Sequence, residues 1–102
     1  MPFINEQDLE HVEADFGEGA VMVYFRKMSL FEMDLVDKAG EKGKVARIVE
    51  TLMVRARTES NTLMFEKKDS SKIRRQFDPD AVLDVVNAMN KSDIKDREEA
   101  GN

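Results

Sequence analysis

An apolar stripe in the middle of the chain constrains the fold more than any other feature. Val45, Ile48, Val49, Leu52, Met53 and Ala56 recur at i, i+3, i+4, i+7, i+8 and i+11. That spacing lines them up along one side of an α-helix, and such a side must be buried against something. Arg47, Glu50, Thr51, Arg55 and Arg57 fall largely off the stripe. The pattern predicts a helix over residues 44–57. Arg55 and Arg57 sit at its C-terminal end, where the helix dipole favours cations. A polar turn cluster at residues 58–62 follows and lands on an apolar anchor of Leu63, Met64 and Phe65.

The segment before this helix reads as a β-hairpin over residues 11–27. Val12 and Ala14 alternate with charged neighbours, and Ala20 to Phe25 is rich in β-branched and aromatic residues. Gly17 and Gly19 lie between the two strands, where a tight turn requires positive φ. Residues 1–10 hold Phe3, Ile4 and Leu9 without a firm period and read as a loop or an edge strand. A short helix over residues 30–39 comes next. Ser29 and Glu32 form the capping-box pattern at its start, and Gly40 is placed to end it.

Beyond the anchor, Asp69, Ser70 and Ser71 offer N-cap chemistry for a short helix over residues 70–76. Asp78 followed by Pro79 predicts the start of a last helix, because proline costs nothing at the first helical position. Ala81, Val82, Leu83, Val85, Val86 and Met89 give it an apolar side to about Asn90. Phe77 is placed to staple onto Val82 or Leu83. Residues 92–102 are charged and read as a frayed, disordered tail. The fold class is α+β: an N-terminal hairpin on a small bundle of about four helices, as one domain over residues 1–91 with a polar tail.

Composition removes several kinds of chemistry. The 102 residues contain no cysteine, so disulfides, thiolate metal sites and cysteine nucleophiles are absent together. One histidine, His11, has no positioned partner in the sequence. No zinc-protease, calcium-loop or phosphate-loop pattern occurs. The reading expects no enzyme activity, no cofactor and no metal. Seven methionines are present, of which Met22, Met33, Met53 and Met89 are expected in the core. No apolar run reaches the roughly 18–20 residues of a membrane helix. The acidic N-terminal stretch is not a signal peptide, so a cytoplasmic location is expected.

Charge is unevenly spread within a formal net charge of −5. Residues 1–40 carry nine acids against three bases, residues 41–75 five against ten, and residues 76–102 seven against three. Packing between opposite charges, or head-to-tail association of copies, accounts for such a distribution. Lys67, Lys68, Lys72, Arg74 and Arg75 form the one basic cluster worth weighing for nucleic acid. Residues 70–76 and the helix after them have the outline of a helix-turn-helix. The second helix, however, opens with acids and apolar groups where phosphate contacts would fall, so nucleic acid is not the expected partner.

In the order of its elements the chain resembles the tail assembly chaperones of long-tailed bacteriophages. The strand VMVYFRKMS leads directly into a helix opening SLFEMD. The amphipathic ARIVETLMVRART follows, then a polar turn ending on Leu63, Met64 and Phe65, with Asp69 just beyond. A helix of AVLDVVNAMNK type closes the domain at Asn90. The segment 67–77 is more basic than the family pattern, and the spacing before Asp69 is loosened to FEKKD.

The resemblance implies a non-enzymatic protein of the bacterial host cytoplasm. It would bind the tape measure protein, keep its helical segments soluble and help recruit tail-tube subunits, and it would form homo-oligomers. A longer frameshifted form would make residues 92–102 a linker. Such a role needs an exposed apolar groove, and Phe25, Phe31, Leu35, Met53 and Phe65 are the candidate partner-binding residues. The other readings are a permanent structural protein of the tail or head–tail joint, and a small DNA-binding regulator.

Overall fold

The computed structural model describes the backbone of residues 9–100 and the side chains of residues 9–93. The expected loop or edge strand at the N-terminus therefore falls mostly outside the described residues. Strands β1 (Glu10–Asp15) and β2 (Ala20–Phe25) pair antiparallel, with Val12 opposite Val23 and Ala14 opposite Val21. The turn between them works as its glycines suggest. Gly17 and Gly19 adopt φ of 116° and 107°, and both donate their N–H to Asp15 Oδ1. One face of the hairpin sends Ala14, Val23 and Phe25 into the core. The other presents His11 and Glu13 to solvent.

Four helices follow among the described residues: α1 (Leu30–Gly40), α2 (Lys44–Arg55), α3 (Ser70–Gln76) and α4 (Pro79–Ala100). Together with the hairpin they make the expected α+β globule. Ser29 and Glu32 close the capping box that starts α1. Gly40 is the last helical residue of α1 rather than the residue beyond it. The left-handed glycine is Gly43, at φ 128°, which begins α2 instead.

Helix α2 is the axis of the molecule. It packs against α1, α3 and α4. Val49, Leu52, Met53 and Ala56 are buried as the stripe requires, but Val45, its first member, is exposed. Coverage from several sides also buries Thr51 and Arg55, which lie off the stripe. Thr51 satisfies its hydroxyl on the Arg47 carbonyl one turn back, at 2.8 Å. Of the four methionines expected in the core, Met53 and Met89 are there, while Met22 and Met33 are exposed.

The central helix stops at Arg55, two residues short of the expected end, because the strand edge competes for the next backbone groups. Ala56 turns extended, and Arg57 exchanges both backbone hydrogen bonds with Tyr24 of β2, at 3.0 and 2.7 Å. Strand β2 thus gains a partner on its second edge, where unpaired groups would otherwise remain. The polar cluster then turns the chain back, with Asn61 at φ 66°, and Met64 donates to the Ala56 carbonyl at 2.9 Å.

Phe65 continues into a triad of aromatic rings. Phe16 stacks on Phe77 at 4.7 Å between centroids, and Phe65 meets both rings edge-on. The partners seen for Phe77 are therefore the hairpin turn and the anchor. Asp69 does not cap α3 with its side chain. It bonds the Glu66 N–H instead, across a 3-10 turn that precedes the helix. Asp78 and Pro79 do start α4, with the Val82 N–H on the Asp78 carbonyl and the Asp80 N–H on its carboxylate.

Helix α4 runs on to Ala100 rather than ending near Asn90. The first residues of that extension are held by Asp93, which chelates the Arg55 guanidinium at 2.7 and 3.0 Å. The same guanidinium donates to the Arg26 carbonyl at 2.9 Å and stands 5.7 Å from the Phe25 ring centre. Arg55 is 2% exposed. Ser92 also donates to the Glu10 carboxylate, so the start of the polar stretch is tied to the hairpin.

Removing Asp93 would leave a charged group unpaired in the core. Asp93→Ala is expected to lower stability by about 3 kcal/mol, and deletion of residues 92–102 by at least as much. Arg55→Met, which removes the charge as well, is expected to cost clearly less than Asp93→Ala. Urea unfolding midpoints check the order, and an Asp93→Ala effect within experimental error would contradict it.

Candidate functional site

Four of the five candidate partner-binding residues come together. Phe31 and Leu35 from α1, Met53 from α2 and Phe65 from the anchor line one open groove of about 460 Å³. Val54 and Leu63 complete its apolar surface. The fifth candidate, Phe25, does not belong to it. Its ring is buried in the core beside Arg55, because strand alternation puts Phe25 on the same face of β2 as the buried Val23.

The groove exists because α1 and residues 63–67 both approach α2 without meeting each other. Glu50, Met53 and Val54 of α2, with Arg57 just beyond its end, form the floor. Phe31 is 72% exposed and Leu63 is 55% exposed, so each bank carries a large apolar side chain in water. Leu35 and Phe65 are half-buried, and Met53 lies at the bottom. The banks are held at a set distance by Glu32. Its carboxylate reaches Arg57 at 3.3 Å and Arg26 at 3.8 Å while also capping Ser29. Arg57 in turn donates to the Asn61 carbonyl. Glu50, Glu66 and Lys67 supply a charged margin.

The groove is partly open to solvent and mostly apolar in its lining.

The five basic residues do not act as one surface. All are exposed. Lys68 pairs with Glu66 at 3.1 Å and Lys72 with Glu18 of the hairpin turn at 3.3 Å. Lys67 stands on the margin of the groove, while Arg74 and Arg75 flank a different one. That second groove, about 410 Å³, is lined by Val45, Ile48, Ile73, Phe77, Val82 and Leu83.

Sequence reasoning missed Val54 and Leu63 and the whole second groove. The Glu50–Met53–Val54–Arg57 row was open to inspection as a second helical periodicity. The second groove has no local signal, since three separate helices build it. No protein-family model, curated protein or solved structure matches this chain. Among the described residues, no helix is long and apolar enough to cross a membrane.

Phe31 and Phe25 separate the groove from the core. Phe31→Ser should leave the unfolding midpoint nearly unchanged, because its ring is already in water. Phe25→Ala should cost about 3–5 kcal/mol as a cavity beneath the hairpin. Equal losses for the two, measured by thermal or urea unfolding, would place Phe31 in the core.

Proposed function

We propose that this chain is a non-enzymatic tail assembly chaperone of a long-tailed bacteriophage, acting in the bacterial host cytoplasm. It binds helical segments of the tape measure protein and helps recruit tail-tube subunits during assembly. The observation that carries this reading is the open apolar groove of Phe31, Leu35, Met53 and Phe65. A long helical protein waiting to be enclosed in a tube exposes apolar stripes to water, and such stripes drive aggregation. A trough with two exposed apolar banks covers part of such a stripe, engaging side chains at i, i+3, i+4 and i+7.

The charged margin leaves the grip weak enough to be exchanged for tube subunits. Glu50 and Lys67 meet the polar flank of a bound helix at the water boundary, where ion pairs contribute little affinity. Separation of Arg74 and Arg75 from Lys67 argues for a protein partner over a nucleic acid, since phosphate binding gains from cations gathered along one path.

Co-expression with a tape measure segment tests the proposal. The wild-type chain should raise the soluble fraction of that segment and co-elute with it. The double variant Phe31→Asp, Leu63→Asp should fold normally and lose both effects. A segment that stays insoluble beside the wild-type chain would sink the chaperone reading. Detection of the chain in purified mature tails would replace it with a permanent structural role.

A further inference from the structure

The hairpin has two long edges, and the second of them is unpaired. On β2, Tyr24 gives both of its backbone groups to Arg57. Those groups therefore point away from β1, and the facing residues His11 and Tyr24 share no ladder hydrogen bond. The same alternation holds for Glu13 opposite Met22 and for Asp15 opposite Ala20. On β1 the N–H and C=O groups of His11, Glu13 and Asp15 consequently point outward, away from β2. Among the described residues they find no backbone partner on that side. A strand edge left this way is a template for a further strand.

That edge borders a groove of about 270 Å³ between β1 and the start of α4. Apolar groups come from both walls, Val12 and Ala14 from the strand, Ala81 and Val85 from the helix. The rim is acidic, with Glu13, Asp15, Asp78, Asp80 and Asp84. All five acids are exposed, and none has an ion-pair partner among the described residues. Strand and helix are tied together at both ends, by the Asp78 N–H on the Phe16 carbonyl and by Ser92 on the Glu10 carboxylate. The two walls are thereby fixed before anything binds, which lowers the entropy lost on binding.

We propose that this edge takes up an extended, basic segment of another protein as a third strand beside β1. Main-chain hydrogen bonds to His11, Glu13 and Asp15 hold the segment in register. Side chains of such a strand alternate between its two faces. One set rests against Val12, Ala81 and Val85 and is apolar. The other lies beside Glu13 and Asp15, where Lys or Arg gains from opposite charge across the strands. Asp80 and Asp84 add negative potential from α4. The chain's own basic cluster is wound into a 3-10 turn and α3, so charge complementarity selects a different protein. This edge also lies away from the tape-measure groove, whose Arg57 runs along the opposite edge of the hairpin. The segment bound here is a strand, where the other groove takes a helix.

A short synthetic peptide alternating lysine with valine tests this by fluorescence anisotropy. Its controls are an alternating glutamate–valine peptide and a lysine–valine peptide with N-methylated backbone amides. Only the first should bind, and amide hydrogen exchange at His11 and Glu13 should slow in its complex. Glu13→Pro removes an outward N–H that the β1–β2 ladder does not use. Asp84→Lys reverses one charge of the rim at an exposed position and should keep its melting temperature. Each variant should bind the peptide on the order of tenfold more weakly, as the loss of one or two polar contacts gives. Failure of the lysine–valine peptide to bind the wild-type chain would overturn the proposal. So would equal binding of the N-methylated peptide, which retains only charge and side chains, or unchanged exchange at His11 and Glu13. The Phe31→Asp, Leu63→Asp variant should bind the peptide as the wild type does, so the outcome is independent of the function proposed above.

Discussion

A guanidinium in the middle of the core organises this fold. Arg55 sits at the end of the central helix with 2% of its surface exposed, and everything around it answers to its charge. A buried cation is costly unless it is paired and hydrogen-bonded. Asp93 accepts from both terminal nitrogens, the Arg26 carbonyl accepts from one of them and Phe25 offers its ring, while Nε has no partner among the described residues. These partners come from α4, from the link after β2 and from β2 itself. One side chain thereby fixes how hairpin, central helix and last helix meet. The planar fork of arginine, which chelates a carboxylate through two parallel bonds, suits this position in a way lysine would not.

The groove on the opposite side follows from the same arrangement. Because α2 ends at Arg55, the next residues are free to line the edge of β2, and the turn they make throws Leu63 and Phe65 across from α1. Glu32 then ties α1 to Arg57 and keeps the two banks apart. The aromatic triad of Phe16, Phe65 and Phe77 secures the far bank to the hairpin turn and to the start of α4. Packing is used here to hold an apolar surface open. A binding trough made from rigid elements loses little entropy when it is filled.

Much of the fold was legible before the structure. The hairpin turn at Gly17 and Gly19, the capping box at Ser29 and the Asp78–Pro79 start of α4 are local devices with local signatures. The need for an exposed apolar groove points to Phe31, Leu35, Met53 and Phe65 together, and they do share one groove. Phe25 was named for the same reason and is core, because strand alternation alone does not say which face the helices cover. Helix ends were read less well at Arg55 and Asn90. In both places a tertiary contact is present: a strand edge pairs with Arg57 just past the end of one helix, and a buried arginine holds Asp93 just past Asn90 in the other.

Local pattern along the chain sets the elements and their order. Periods of 2 and 3.6 residues, glycine turns and helix caps are properties of a few neighbouring residues, so they can be read along the chain. Which of two apolar sides becomes core and which stays open depends on packing between distant segments. Arg55 and Asp93 are 38 residues apart, and nothing in either neighbourhood announces the other. Val45 begins the very stripe that defines α2, yet it lies in water at the margin of a groove. A stripe says that a helix side is apolar. How many neighbours arrive to cover it depends on contacts across the whole chain.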